Sequence, residues 1–137
     1  RMPAIRLAEA QRAVEPRTFL YQFDHASLER RGTMGARHGL EIPFVFGTIH
    51  SERSERSIGS GEAVERLSAQ MMDAWISFAR HGDPAHDAIG PWPAYDADDR
   101  WTMVFGPEAG AQRAPFEEER SLWASMMTGS SAPATMS

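Results

Sequence analysis

Residues 18–24, TFLYQFD, constrain the fold more than any other stretch of this chain. Five of the seven are β-branched, aromatic or leucine, side chains that favour an extended, packed backbone. The run is apolar almost throughout, so the buried strand it predicts needs neighbours and cover on both faces. A second short strand is predicted at residues 101–105, WTMVF, far away in sequence. Two lone strands do not make a stable sheet. The chain is therefore expected either to pair with another copy or to be a piece of a larger fold.

The remaining elements are helical. Residues 4–14, AIRLAEAQRAV, read as a short helix, with Pro3 tolerated in the first turn and Pro16 as the stop. The clearest helix is predicted over residues 62–81. Val64, Leu67, Met71, Ala74, Trp75, Phe78 and Ala79 recur there at three- and four-residue steps as one apolar stripe. Gly82 and Pro84 end it. A last helix starts near Pro115, with Glu117, Glu118 and Glu119 beside the positive end of its dipole. Its apolar face is Phe116, Leu122, Trp123 and Met126. The Met and Trp residues at 71, 72, 75, 123, 126 and 127 fall on helical faces and are expected to pack in a core. Between these elements lies a long loop at 25–40, carrying Gly32, Gly35 and Gly39, of a length that tends to be functional. Residues 41–47, EIPFVFG, read as a short strand or one helical turn. Residues 48–61 are expected to be a mobile surface loop, with Ser60 capping the long helix. Residues 1–127 form one segment, and residues 128–137 read as a disordered polar tail.

Composition narrows the chemistry. The 14 basic residues are all arginine and face 19 acidic ones, so the chain lacks the basic balance of a nucleic-acid binder. Without lysine or cysteine it holds no Schiff-base lysine, thiol nucleophile or thiolate metal site. No apolar run approaches the roughly 20 residues of a membrane helix. There is no G-x-S-x-G elbow, phosphate loop or dinucleotide fingerprint. The lack of lysine fits a GC-rich bacterial genome.

His38, in GARHGLEIPFVFG, sits in the long loop after the predicted strand. Open α/β sheets place reactive groups just beyond the carboxyl ends of strands. Imidazole titrates near neutral pH and can take and return a proton. Gly39 permits unusual backbone angles beside it, and Glu41 is close enough to steady the loop by hydrogen bonds. On local pattern alone, a histidine that only caps backbone groups is the favoured reading. His81, Asp83, His86 and Asp87 carry metal-ligand side chains, but their spacing matches no ligand signature and a solvated helix stop explains them better. His25 and His50 have no partner pattern.

The order of these segments resembles the type-B carboxylesterases, an α/β-hydrolase family that includes the cholinesterases. TFLYQFD is similar to the family's aromatic strand, and GARHGLEIPFVFG to its histidine loop. LSAQMMDAWISFARHGDP, Trp92-Pro93-Ala94-Tyr95, RWTMVFG and Glu119-Arg120-Ser121-Leu122-Trp123 follow in the family's order. The resemblance runs from about Met2 to Met126. It implies an α/β fold, the last strands and helices of an α/β-hydrolase sheet, incomplete alone. It implies that His38 is the base of a serine triad in a carboxylic-ester hydrolase acting on a small ester, and that Glu41 supports the loop and is not the triad acid. It implies no metal, organic cofactor, nucleic acid or membrane. The family's nucleophile, acid and oxyanion loop precede the histidine. The expected partner is thus an upstream portion of the same esterase, with the cut near Arg1 and the chain inactive by itself. A non-catalytic interaction protein of the same superfamily, and a self-standing small binding domain, are the alternatives.

Overall fold

The computed structural model describes residues 1–129. The tail expected at 128–137 therefore lies, past Gly129, outside the described residues.

The chain opens with helix α1, Met2–Arg12, which buries Ile5 and Ala8. Strand β1 follows but is only Tyr21–Phe23. Strand β2, Trp101–Phe105, lies parallel to it, with Tyr21 opposite Met103 and Phe23 opposite Phe105. A third strand, β3 at Gly110–Arg113, returns antiparallel on β2, pairing Trp101 with Arg113 and Val104 with Gly110. The expected pair of strands is thus a three-stranded sheet in the order β1-β2-β3. GAQR carries no β-branched or aromatic residue. Local propensity does not announce β3; its ladder with β2 makes it a strand.

The expected full burial of the 18–24 strand is not observed. Tyr21 is exposed and Gln22 and Phe23 are half-buried. The reason is topological: β1 is an edge strand, and no described element pairs with its outer side.

EIPFVFG resolves to one helical turn, α2, Ile42–Val45, with Pro43 in the first turn where its missing N–H is harmless. Residues 48–61 are not the loop expected from their polarity. They form helix α3, Glu52–Ile58. Ser51 caps it by accepting from the Ser54 amide at 3.1 Å. Ile58, 1% exposed, plugs its far end into the core. A seven-residue helix that buries so few side chains is mostly polar, which disguises it. The expected cap role of Ser60 is also corrected. Gly61 holds the N-cap of the next helix, without a side-chain bond, and Ser60 is exposed.

Helix α4, Glu62–His81, runs as predicted and ends on Gly82 in the left-handed region at φ 70°. Its stripe buries Val64, Leu67, Met71 and Ala74 against α2 and the sheet. Towards the carboxyl end Trp75 is half-buried and Phe78 exposed, on a cleft of about 220 Å³ shared with Phe19, Tyr21 and Trp92. Trp92 and Tyr95 are both buried, and the Trp92 ring meets Phe105 edge-on at 5.6 Å.

Helix α5, Glu117–Gly129, departs from expectation. Leu122, Trp123, Met126 and Met127 are exposed, and no described element covers that face. Core packing holds for Met71 but not for these.

The core residue that joins these parts is Phe44, 0% exposed. Phe44→Ala should lower the unfolding free energy by about 3–5 kcal/mol. Ile42→Ala, at an exposed neighbour on the same turn, should stay within about 0.5 kcal/mol. Urea denaturation of the two variants checks both.

Candidate active site

His38 stands in a tight turn beyond the carboxyl end of β1 and just before α2. The Leu40 amide donates to the Arg37 carbonyl at 3.2 Å, and the Ile42 amide to the Gly39 carbonyl at 3.4 Å. Gly39 adopts φ 79°, a conformation that side-chain-bearing residues rarely take. The turn feeds directly into α2. Glu41 is the N-cap residue, and its carbonyl accepts from Phe44 and Val45 at 3.0 and 3.1 Å.

Beneath the turn, Phe44 packs between Phe23 of β1 and the His25 ring, with centroids 5.2 Å away in both cases. Its carbonyl accepts from Ser68 Oγ of α4 at 2.9 Å. The strand, the long helix and the turn are thus tied at one residue, which sets where His38 can be.

The imidazole itself is exposed. Among the described residues, no hydrogen bond or ion pair engages its ring. Open space flanks it on two sides. A void of about 600 Å³ lies along the open side of β1, lined by His38, Glu41, Tyr21, Phe23 and Leu7. A second, of about 300 Å³, separates His38 from Ser54, Ser57 and Ile58 of α3. The Tyr21 phenol is held above its ordinary range, first by burial and then by the Glu41 carboxylate.

The loop is braced, though not as expected. The hydrogen bonds described at Glu41 run through its main-chain carbonyl, and the charge of its carboxylate adds to the upward shift of the Tyr21 phenol. The side-chain bracing comes from residues that sequence reasoning passed over. Arg37 Nη2 donates to Glu29 Oε1 at 2.7 Å, and Ser57 Oγ donates to the same oxygen at 2.5 Å. An arginine directly before the histidine was the one available signal. His25, which had no assigned role, donates from Nε2 to the Ile58 carbonyl at 2.8 Å.

The other candidates do not assemble into a site. Asp83 Oδ1 accepts from the Ala85 amide at 2.9 Å, and His86 Nε2 donates to the Gln70 carbonyl at 3.0 Å. These bonds close the turn after α4. Among the described residues no cluster of three His, Asp or Glu could hold a metal ion. None of their helices is long and apolar enough to cross a membrane.

The chain as a whole is similar to known proteins. The carboxylesterase family profile matches residues 1–123. Phenmedipham hydrolase of Pseudarthrobacter oxydans is 36% identical over 106 residues, which is 76% of this chain and 21% of that protein. Para-nitrobenzyl esterase of Bacillus subtilis is 33% identical over 118 residues, 86% of this chain and 24% of the enzyme. Among solved structures, a Geobacillus stearothermophilus carboxylesterase superposes with a TM-score of 0.68 at 31% identity, covering 85% of this chain and 24% of that one. A para-nitrobenzyl esterase structure gives 0.65 at 34% identity, over 75% and 21%. The chain therefore spans about a fifth to a quarter of the length of these relatives. Its small mixed sheet, its helices and the profile match over residues 1–123 place it in the carboxylesterase family, as a part of the α/β-hydrolase fold.

Proposed function

We propose that His38 is the general base of a serine carboxylic-ester hydrolase, with the nucleophile, triad acid and oxyanion hole supplied by an upstream portion of the polypeptide. The observation that carries this reading is the exposed, unengaged His38 ring on a turn anchored by Phe44, beside the open edge of β1. A base that must meet a serine from elsewhere needs both properties: a fixed backbone and a free ring. The absence of a G-x-S-x-G elbow from all 137 residues fits a nucleophile held outside this chain.

In this scheme the imidazole takes the serine proton as the hydroxyl oxygen attacks the ester carbonyl. The resulting imidazolium protonates the alcohol oxygen as the carbon–oxygen bond breaks, leaving an acyl-enzyme. Water then repeats the cycle, and the acid is released. The chemistry calls for no metal or organic cofactor. The substrate is a small ester. The voids beside His38 leave room for it, and named relatives are ester hydrolases.

The uncovered apolar surface supports the upstream portion. Leu7, Phe46, Leu122, Trp123 and Met126 are each more than half exposed. Such exposure in one small chain marks surfaces built to be covered. Together with the unpaired edge of β1, it favours docking of the strands that precede this segment in a complete hydrolase.

Three outcomes are expected. In the complete polypeptide, His38→Ala should lower kcat for a short-chain p-nitrophenyl ester on the order of 10⁴- to 10⁶-fold. Full turnover in that variant would end the proposal. The isolated chain should show no turnover and should associate in light scattering; a monodisperse, active monomer would contradict the need for an upstream portion. Gly39→Ala forces a Cβ into the left-handed region and should destabilise the turn by about 1–2 kcal/mol, read from the urea midpoint.

A further inference from the structure

We infer that Glu29 is a positioning residue for His38, holding the histidine turn against the end of α3 through one shared carboxylate oxygen. This inference rests on the reading of His38 as the base.

The geometry is specific. Glu29 Oε1 receives two donors: Arg37 Nη2 at 2.7 Å and Ser57 Oγ at 2.5 Å. Arg37 is covalently next to His38, and Ser57 lies in the last turn of α3. The carboxylate thus bridges the reactive turn to a helix whose own position is set by buried Ile58. Around this bridge the backbone is already zipped. The Leu28 amide and Ser27 Oγ both donate to the Ser57 carbonyl, at 2.8 and 3.1 Å. Ser27, 0% exposed, closes the neck of the loop by donating from its amide to the Gly35 carbonyl at 2.9 Å. Ser27 Oγ also accepts from the Glu29 amide at 3.2 Å, which fixes the Glu29 backbone beside the bridge. Helix ends leave carbonyls unsatisfied. Here the histidine loop satisfies those of Ser57 and Ile58 and gains a rigid frame in return.

The Glu29–Arg37 pair is about two-fifths exposed on each side. Half-exposed ion pairs contribute little to global stability. The bridge is consequently poorly placed to hold the fold together and well placed to restrict one turn. Residues 36–38 have no other charged tie among the described residues. A displaced general base is costly to the reaction, because a misplacement of about 1 Å lowers rates by about 100-fold.

The test uses the complete polypeptide. Glu29→Gln and Ser57→Ala should each lower kcat by about 10- to 100-fold, with KM and thermal midpoint close to those of the parent. Combining Glu29→Gln with Arg37→Gln should be no worse than the poorer single change, since both break one bridge. Hydrogen exchange at the Leu40 amide, which bonds to the Arg37 carbonyl, should quicken in Glu29→Gln. Unchanged kcat in both single variants overturns the inference, as does a loss that follows the thermal midpoint or appears in KM alone. Should Glu29→Gln fail to fold, Ser57→Ala and the exchange measurement decide. If His38→Ala abolishes turnover while Glu29→Gln and Ser57→Ala both keep it, only this inference falls. If His38→Ala retains turnover, the functional reading falls with it.

Discussion

The packing of Phe44 is the contact on which the architecture of this chain turns. One fully buried ring joins the edge strand through Phe23, the loop through His25, and the long helix through the bond from Ser68 to its carbonyl. Each tie is of ordinary strength. Their convergence on a four-residue helix is what matters, because that helix begins four residues after His38. A turn anchored at one end by apolar packing and at the other by the Glu29 bridge has little freedom left in its backbone. The His38 ring keeps its own freedom because nothing described engages it.

The surface tells a complementary story. Apolar side chains gather on three uncovered places: the open side of β1, the carboxyl end of α4, and the outer face of α5. In a self-contained domain of this size such faces would be folded inward. In the proposed reading they are the faces that the upstream portion covers, and the chain accounts for about a fifth to a quarter of its relatives' length. The proposed division of labour follows: a base and its scaffold in this chain, and the remaining catalytic groups in what joins it.

How much of this was legible depended on the length of each pattern. The α4 helix could be read because twenty residues repeat one apolar stripe between a glycine start and a glycine stop. The Trp101–Phe105 strand could be read because its side chains are nearly all apolar or β-branched. Helix α3 and strand β3 could not. Each has only a handful of residues with polar or neutral preferences, and each exists because something distant holds it: the burial of Ile58 in one case, the ladder from β2 in the other. The order of motifs singled out His38 as a candidate, and no such pattern pointed to Glu29 or Ser57. Their contact spans 28 residues and depends on where an unrecognised helix ends.

The amino-acid sequence by itself determined the long helix, the exclusion of thiol and lysine chemistry within this chain, and the family to which the segments belong, and it left EIPFVFG open between strand and helical turn. Those properties reside in local periodicity, residue type and motif order, which need no third dimension. Only the tertiary structure decided that β1 is an exposed edge, that the α5 face is uncovered, and that Glu29 reaches both Arg37 and Ser57. Burial and long-range hydrogen bonds are properties of neighbours in space. The same Trp or Glu is core or surface, free or paired, according to what the rest of the chain brings against it.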